Sequence, residues 1–336
     1  MLGILYAALG AFTFALNNVA MRRGVVTGSV LQGMAVTVPI GGLSFLVMTA
    51  AFGALDQLVT FPAAAVAWLA CQGIVHFVVG RYCNYRSNQL MGVNLAAPVV
   101  QLQVPFAMLF AVALLGEKFT VLQAIGSVLM LGGSFITQRH AGRRQNAAPA
   151  PLPAAAPVPI SSFQPRVVSG YVFGIGAAMC YGGSPLMARE AFLHAPRAST
   201  AAGGFLAYAA ATLFFSLILL KPGSWSDIRR TSRENLPWFL SSAVLVAVSQ
   251  AFVYASLAAA PLMVVTPILQ LSLVFRLFLS QVINREYEVM NTAVLIGAFT
   301  AVLGSMLVSL DSEALTIWLG LPPSVGVLLH YRLAGA

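Results

Sequence analysis

Long apolar runs alternate with short polar joints along almost the whole of this chain. Runs of about 18 residues or more match the length a helix needs to cross a hydrocarbon core. Ten such runs begin near Leu2, Val30, Ala63, Val93, Thr120, Gly170, Ser199, Leu236, Leu262 and Asn291. Period-2 alternation is absent and the runs exceed strand length, so the pattern predicts an all-α polytopic membrane protein of ten transmembrane helices.

The pattern also repeats. Arg81 to Glu117 recurs without a gap 169 residues later as Gln250 to Glu286. Tyr85, Pro98, Gln101 and Glu117 reappear as Tyr254, Pro267, Gln270 and Glu286. At an offset of 167, Gly3, Ala7, Ala11, Ala15 and Arg22 match Gly170, Gly174, Ala178, Gly182 and Arg189. Small residues at every fourth position form one helix face and let another helix approach closely, which drives association in lipid. Gly126 and Gly133 in the fifth run match Gly297 and Gly304 in the tenth. These glycines suit packing within the chain or against a second copy, so the spacing leaves monomer and homodimer open.

Duplication with an odd number of spans puts the second copy into the membrane upside down. The expected organisation is a five-helix repeat over 1–138, a basic Ala/Pro-rich linker over 139–168, a second repeat over 169–310, and an interfacial tail over 311–336. Composition agrees: 59% of residues are apolar and 8% charged, against about 25% charged in a soluble domain. Joints after the odd-numbered runs hold 13 of the 18 Lys and Arg residues, counting Arg81 and Arg86. Topology accounts for the net charge of +9 without any nucleic acid. By the positive-inside rule the linker is cytoplasmic, both termini are outside, and the setting is a plasma membrane, the inner one in a bacterium.

Every carboxylate falls at or beyond a run's end, Glu117 and Glu286 among them, where each can complement the N-terminal dipole of the helix that follows. Cys71, Cys83 and Cys180 lack ligand spacing, and neither a metal nor a cofactor is expected.

Polar groups inside the runs are the candidate chemistry, because an unpaired one in hydrocarbon is costly and turns to a partner or a lumen. Arg81 with Tyr85, and their counterparts Gln250 with Tyr254, lie four apart and so share a face. Pro98 and Pro267 each free a carbonyl one turn earlier, with Gln101 and Gln270 beside the expected kinks, where the two amides serve either a polar solute or a bond between helices. Asn17 and Asn18 match Ser184 and Pro185, with Tyr181 nearby, and serve either the pathway or a helix cap. Gln72 and His76 lie four apart, and Arg276 is the deepest charge in the chain. The histidines are scattered and form no catalytic constellation, which argues against a membrane-embedded enzyme. The alternative is a non-transporting sensor or scaffold, which usually needs a regulatory domain or an exposed partner surface, and the joints here are short.

In ordered double occurrence, Pro98, Gly116-Glu117, Gly126-Ser127 and Gly132-Gly133-Ser134 stand against Pro267, Glu286, Gly297 and Gly304-Ser305. This resembles the EamA-type branch of the drug/metabolite transporter superfamily. The resemblance implies a central cavity lined by the first, third, fourth, sixth, eighth and ninth helices, alternating access, and amino acids, metabolites or nucleotide sugars as cargo. Arg285 stands where the first copy has Gly116, so the two Glu residues have unequal settings. The smaller relatives that expel cationic drugs use a membrane-embedded Glu with no match here. An excess of internal Arg favours an anionic group on the cargo. The expectation is an exporter of an amino acid or related organic acid, with lipid and this small molecule as its partners.

Overall fold

The computed structural model describes residues 2–115, 119–146, 164–259, 265, 268–309, 320, 322 and 332–334. In chain order its apolar helices are α1 (Leu2–Thr27), α2 (Val30–Ala51), α3 (Ala63–Met91), α4 (Val93–Leu114), α5 (Val121–Thr137), α6 (Val167–His194), α7 (Thr200–Leu219), α8 (Leu236–Val253), α9 (Ile268–Ile283) and α10 (Thr292–Val308). Seven are long and apolar enough to cross a membrane; α5, α9 and α10 are shorter. Two strands of two and three residues, Phe119–Thr120 and Arg332–Ala334, pair antiparallel. Most of the tail and linker lies outside the described residues.

Helix starts fall where the pattern changes. Ser29 closes a capping box with Gln32 at the head of α2, and both residues bond Asp227 from the other half of the chain. Ser199 caps α7 in the same way through the Ala201 amide. Gly92, at φ 85, lets the chain turn directly from α3 into α4. The expected start of the ninth run near Leu262 and its Pro267 lie outside the described residues.

Packing follows the small-residue faces. Helix α1 lies along α8 and α9, while α6 lies along α3 and α4; α2 pairs with α7 and α5 with α10. Gly3, Ala7, Ala11 and Ala15 are buried, as are Gly170, Gly174, Ala178 and Gly182. A methyl group on Gly182 would strike the Gln103 carbonyl, and one on Gly174 would strike Val99. The α5 and α10 glycines meet each other: Gly126 faces the Gly304 carbonyl and Gly133 faces that of Gly297. Within this chain, therefore, those glycines serve backbone-to-backbone contact between two of its own helices.

Two interruptions shape the centre. Residues Ile74–Gly80 of α3 are π-helical, a wider turn that brings residues five apart onto one face. Helix α4 breaks at Gln101 and Leu102, between Val93–Val100 and Gln103–Leu115, three residues after Pro98. Helix α9 has a matching turn at Leu271.

Candidate functional site

A cavity of about 180 Å³ lies where these irregular helices meet. Its wall includes Asn17 and Asn18 from α1, His76, Arg81 and Tyr85 from α3, Gln101 from α4, Tyr181 from α6, Gln250 from α8 and Arg276 from α9. Every helix that the resemblance assigned to a central cavity contributes, and α7 adds Tyr208. The π-helical stretch explains part of this convergence, because His76 and Arg81 are five apart yet both reach the lumen.

Arg81 is fastened on several sides. One guanidinium nitrogen donates to the Thr37 carbonyl at 3.1 Å and another to the Tyr208 hydroxyl at 2.8 Å. The rings of Phe77 and Tyr208 stack at 3.6 Å between centroids. Both lie within cation–π reach of the charge, at 5.2 and 5.5 Å. Tyr85 bonds the Thr37 hydroxyl at 3.3 Å. Thr37 and Tyr208 thus hold the Arg81–Tyr85 face in place.

Arg276 is treated differently. It is 6% exposed, its Nε has no hydrogen-bond partner among the described residues, and the Phe14 ring lies 5.9 Å from its charge. Arg81 and Arg276 are the only charges on the described wall.

The other predicted residues divide between wall and support. Gln72 donates to Ser184 at 3.0 Å and His76 Nδ1 meets the same hydroxyl at 2.9 Å, so Gln72 and Ser184 stand behind the wall and orient His76. The His76 ring packs on Tyr181 with centroids 4.6 Å apart. Gln101 and Gln270 bond each other amide to amide at the breaks in α4 and α9. The capping reading of Asn17 and Asn18 fails because α1 continues to Thr27. Asn17 instead accepts from Ser242 on α8 at 2.6 Å, and Asn18 donates to the Phe14 carbonyl. Pro267 and the side chain of Tyr254 lie outside the described residues.

One turn beyond the cavity, on a single side, comes a sealed polar layer. Arg22 pairs with Glu288 at 3.1 Å and also donates to the carbonyls of Asn88, Gln89 and Tyr287. The Glu288 carboxylate accepts from the Val93 and Asn94 amides at 2.8 and 2.9 Å, capping α4. A methyl group on Gly92 would collide with that carboxylate. Ser280 bonds Asn94 at 2.6 Å, and Asn284 donates to the Val19 carbonyl. Burial pushes the Glu288 carboxyl up from the usual range, while Arg22 and the two amides work against that.

This layer corrects several sequence expectations. Arg22, Arg81 and Arg86 belong to helices and not to joints. Glu286 is exposed in a short 3-10 turn, whereas Glu288, which the repeat does not mark, caps a helix from the other repeat. Glu117 lies outside the described residues. Tyr208, Thr37 and Glu288 carry no mark in the sequence pattern, because none recurs in the duplication. The available signal was the need of Arg22 and Arg81 for acceptors.

Residues 1–139 match the EamA-like transporter family, which belongs to the drug/metabolite transporter superfamily. A solved crystal structure of a protein superposes with a TM-score of 0.52 at 16% identity, covering 93% of this chain and 98% of the other. That likeness concerns the fold alone. Among curated proteins no match is found.

Proposed function

We propose that this chain exports an amino acid or related organic acid by alternating access, since residues 1–139 match the EamA-like transporter family, whose members are membrane transporters. The carrying observation is the cavity at the helix breaks, whose described wall holds two guanidinium groups and no carboxylate. In a site of low dielectric such a wall repels cations and attracts a solute bearing an anionic group. The amides of Gln101, Asn17, Asn18 and Gln250, with Tyr181, Tyr85 and His76, supply hydrogen bonds to the rest of a small polar molecule, and Gln270 holds Gln101. Gln72 and Ser184 position His76.

We read the architecture as ten spans in two inverted halves, 1–138 and 169–310, joined by the linker. Exchange of helix pairings supports this reading: α1 with α8 mirrors α6 with α3, α1 with α9 mirrors α6 with α4, and α2–α7 and α5–α10 map onto themselves. The charge bias supports a cytoplasmic position for the layer around Arg22 and Glu288, with the termini outside. In that reading the layer is the cytoplasmic seal, and opening inward requires α1, the α3–α4 junction and the α9–α10 junction to part. Counterflow of labelled amino acids into proteoliposomes tests the reading. Signal above empty vesicles is expected, and none across the twenty amino acids and simple organic acids would overturn it.

A further inference from the structure

Among the buried arginines of α1, α3 and α9, one stands apart. Arg22 has carboxylate and carbonyl acceptors, and Arg81 has a carbonyl, a hydroxyl and two ring faces. Arg276 is as deeply buried as Arg81, both being 6% exposed, yet its Nε meets no acceptor among the described residues. The carboxylate whose charge acts on it is Glu288, already paired to Arg22 and forming no ion pair with Arg276. A buried guanidinium nitrogen without an acceptor is costly, and this residue lines the cavity.

We infer that Arg276 is the anion receptor of the cavity, and that the site selects a carboxylate on a compact body that meets both ring faces and side-chain amides. This rests on the transport reading and narrows it to one residue and one class of cargo. A guanidinium presents paired N–H groups in a planar fork that matches a carboxylate. Arg81 contributes positive potential, but its bonds to the Thr37 carbonyl and the Tyr208 hydroxyl leave it a positioning role. The body is set by the remaining wall. Phe14, Phe77, Tyr85, Tyr181 and Tyr208 supply ring faces. A volume of about 180 Å³ is close to the ~150 Å³ of an apolar cavity that holds benzene. The receptor occurs once because the duplicated position in α4 is Ala107, so the cavity is asymmetric in charge despite its repeated frame.

The test uses the purified full-length protein in detergent, with thermal unfolding followed in benzoate, benzamide and benzylamine at equal ionic strength. Ligand binding to the folded state raises the midpoint by an amount that grows with the logarithm of ligand concentration over its Kd. Benzoate is expected to raise it, and the neutral amide and the cation are not. Arg276→Gln should weaken benzoate binding by about thirtyfold or more, the loss expected when one side of a buried charge pair is neutralised. Arg276→Lys should keep part of the response, which covers the case of a poorly folding Gln variant. Equal shifts with benzoate and benzamide, or an undiminished benzoate response in Arg276→Gln, would overturn the assignment. Binding of benzoate without flux of any organic acid would leave the receptor standing and remove the transport reading instead.

Discussion

Arg22 and Arg276 are both buried guanidinium groups in opposite circumstances. Arg22 holds Glu288 and three carbonyls from two other junctions. Arg276 has a ring face and an Nε without an acceptor among the described residues. A charge with all its donors engaged holds helices together. A charge left open at a cavity wall stores an interaction for something that arrives later. The two regions therefore answer differently to the same mutation.

The largest effect is expected at the sealed layer. Glu288→Gln leaves Arg22 buried without its counter-charge, and such losses cost about 3–5 kcal/mol. Thermal unfolding in detergent should show a large drop, and an unchanged midpoint would mean that the carbonyls alone suffice. Next comes helix contact remote from both arginines. Gly133→Leu forces α5 away from the Gly297 carbonyl, and overpacking of this kind costs about 1–3 kcal/mol. Similar in size, Tyr208→Phe removes a hydroxyl from Arg81, where a hydrogen bond to a charged group contributes about 1.5–3 kcal/mol. The smallest change in stability belongs to Arg276→Met. With no acceptor on its Nε among the described residues and a buried charge removed, its midpoint should be unchanged or raised, and a drop matching that of Glu288→Gln would erase the contrast between the two regions.

Legibility in the sequence followed the same division. Apolar run length located α1 to α4 and α6 to α8 closely, because hydrocarbon thickness leaves little freedom in span length. The duplication pointed to Gln101 and Gln270, and these two amides do meet. It also drew attention to Glu286 and away from Glu288, since function placed on one copy alone leaves no echo in the other. Local pattern could not reveal the π-helical turn in α3, where the run from Ile74 to Gly80 reads as ordinary apolar helix. Nor could it reveal Tyr208, whose role depends on α7 crossing α3 at Phe77. Tertiary crossings decide such residues, and spacing along one helix carries no record of them.

Exchange of labelled amino or organic acid in proteoliposomes, compared between the wild-type chain and Arg276→Gln at matched folded content, tests the central claim most directly. The account predicts exchange by the wild type and its near loss in the variant, with thermal stability kept. Exchange by Arg276→Gln at the wild-type rate would contradict it.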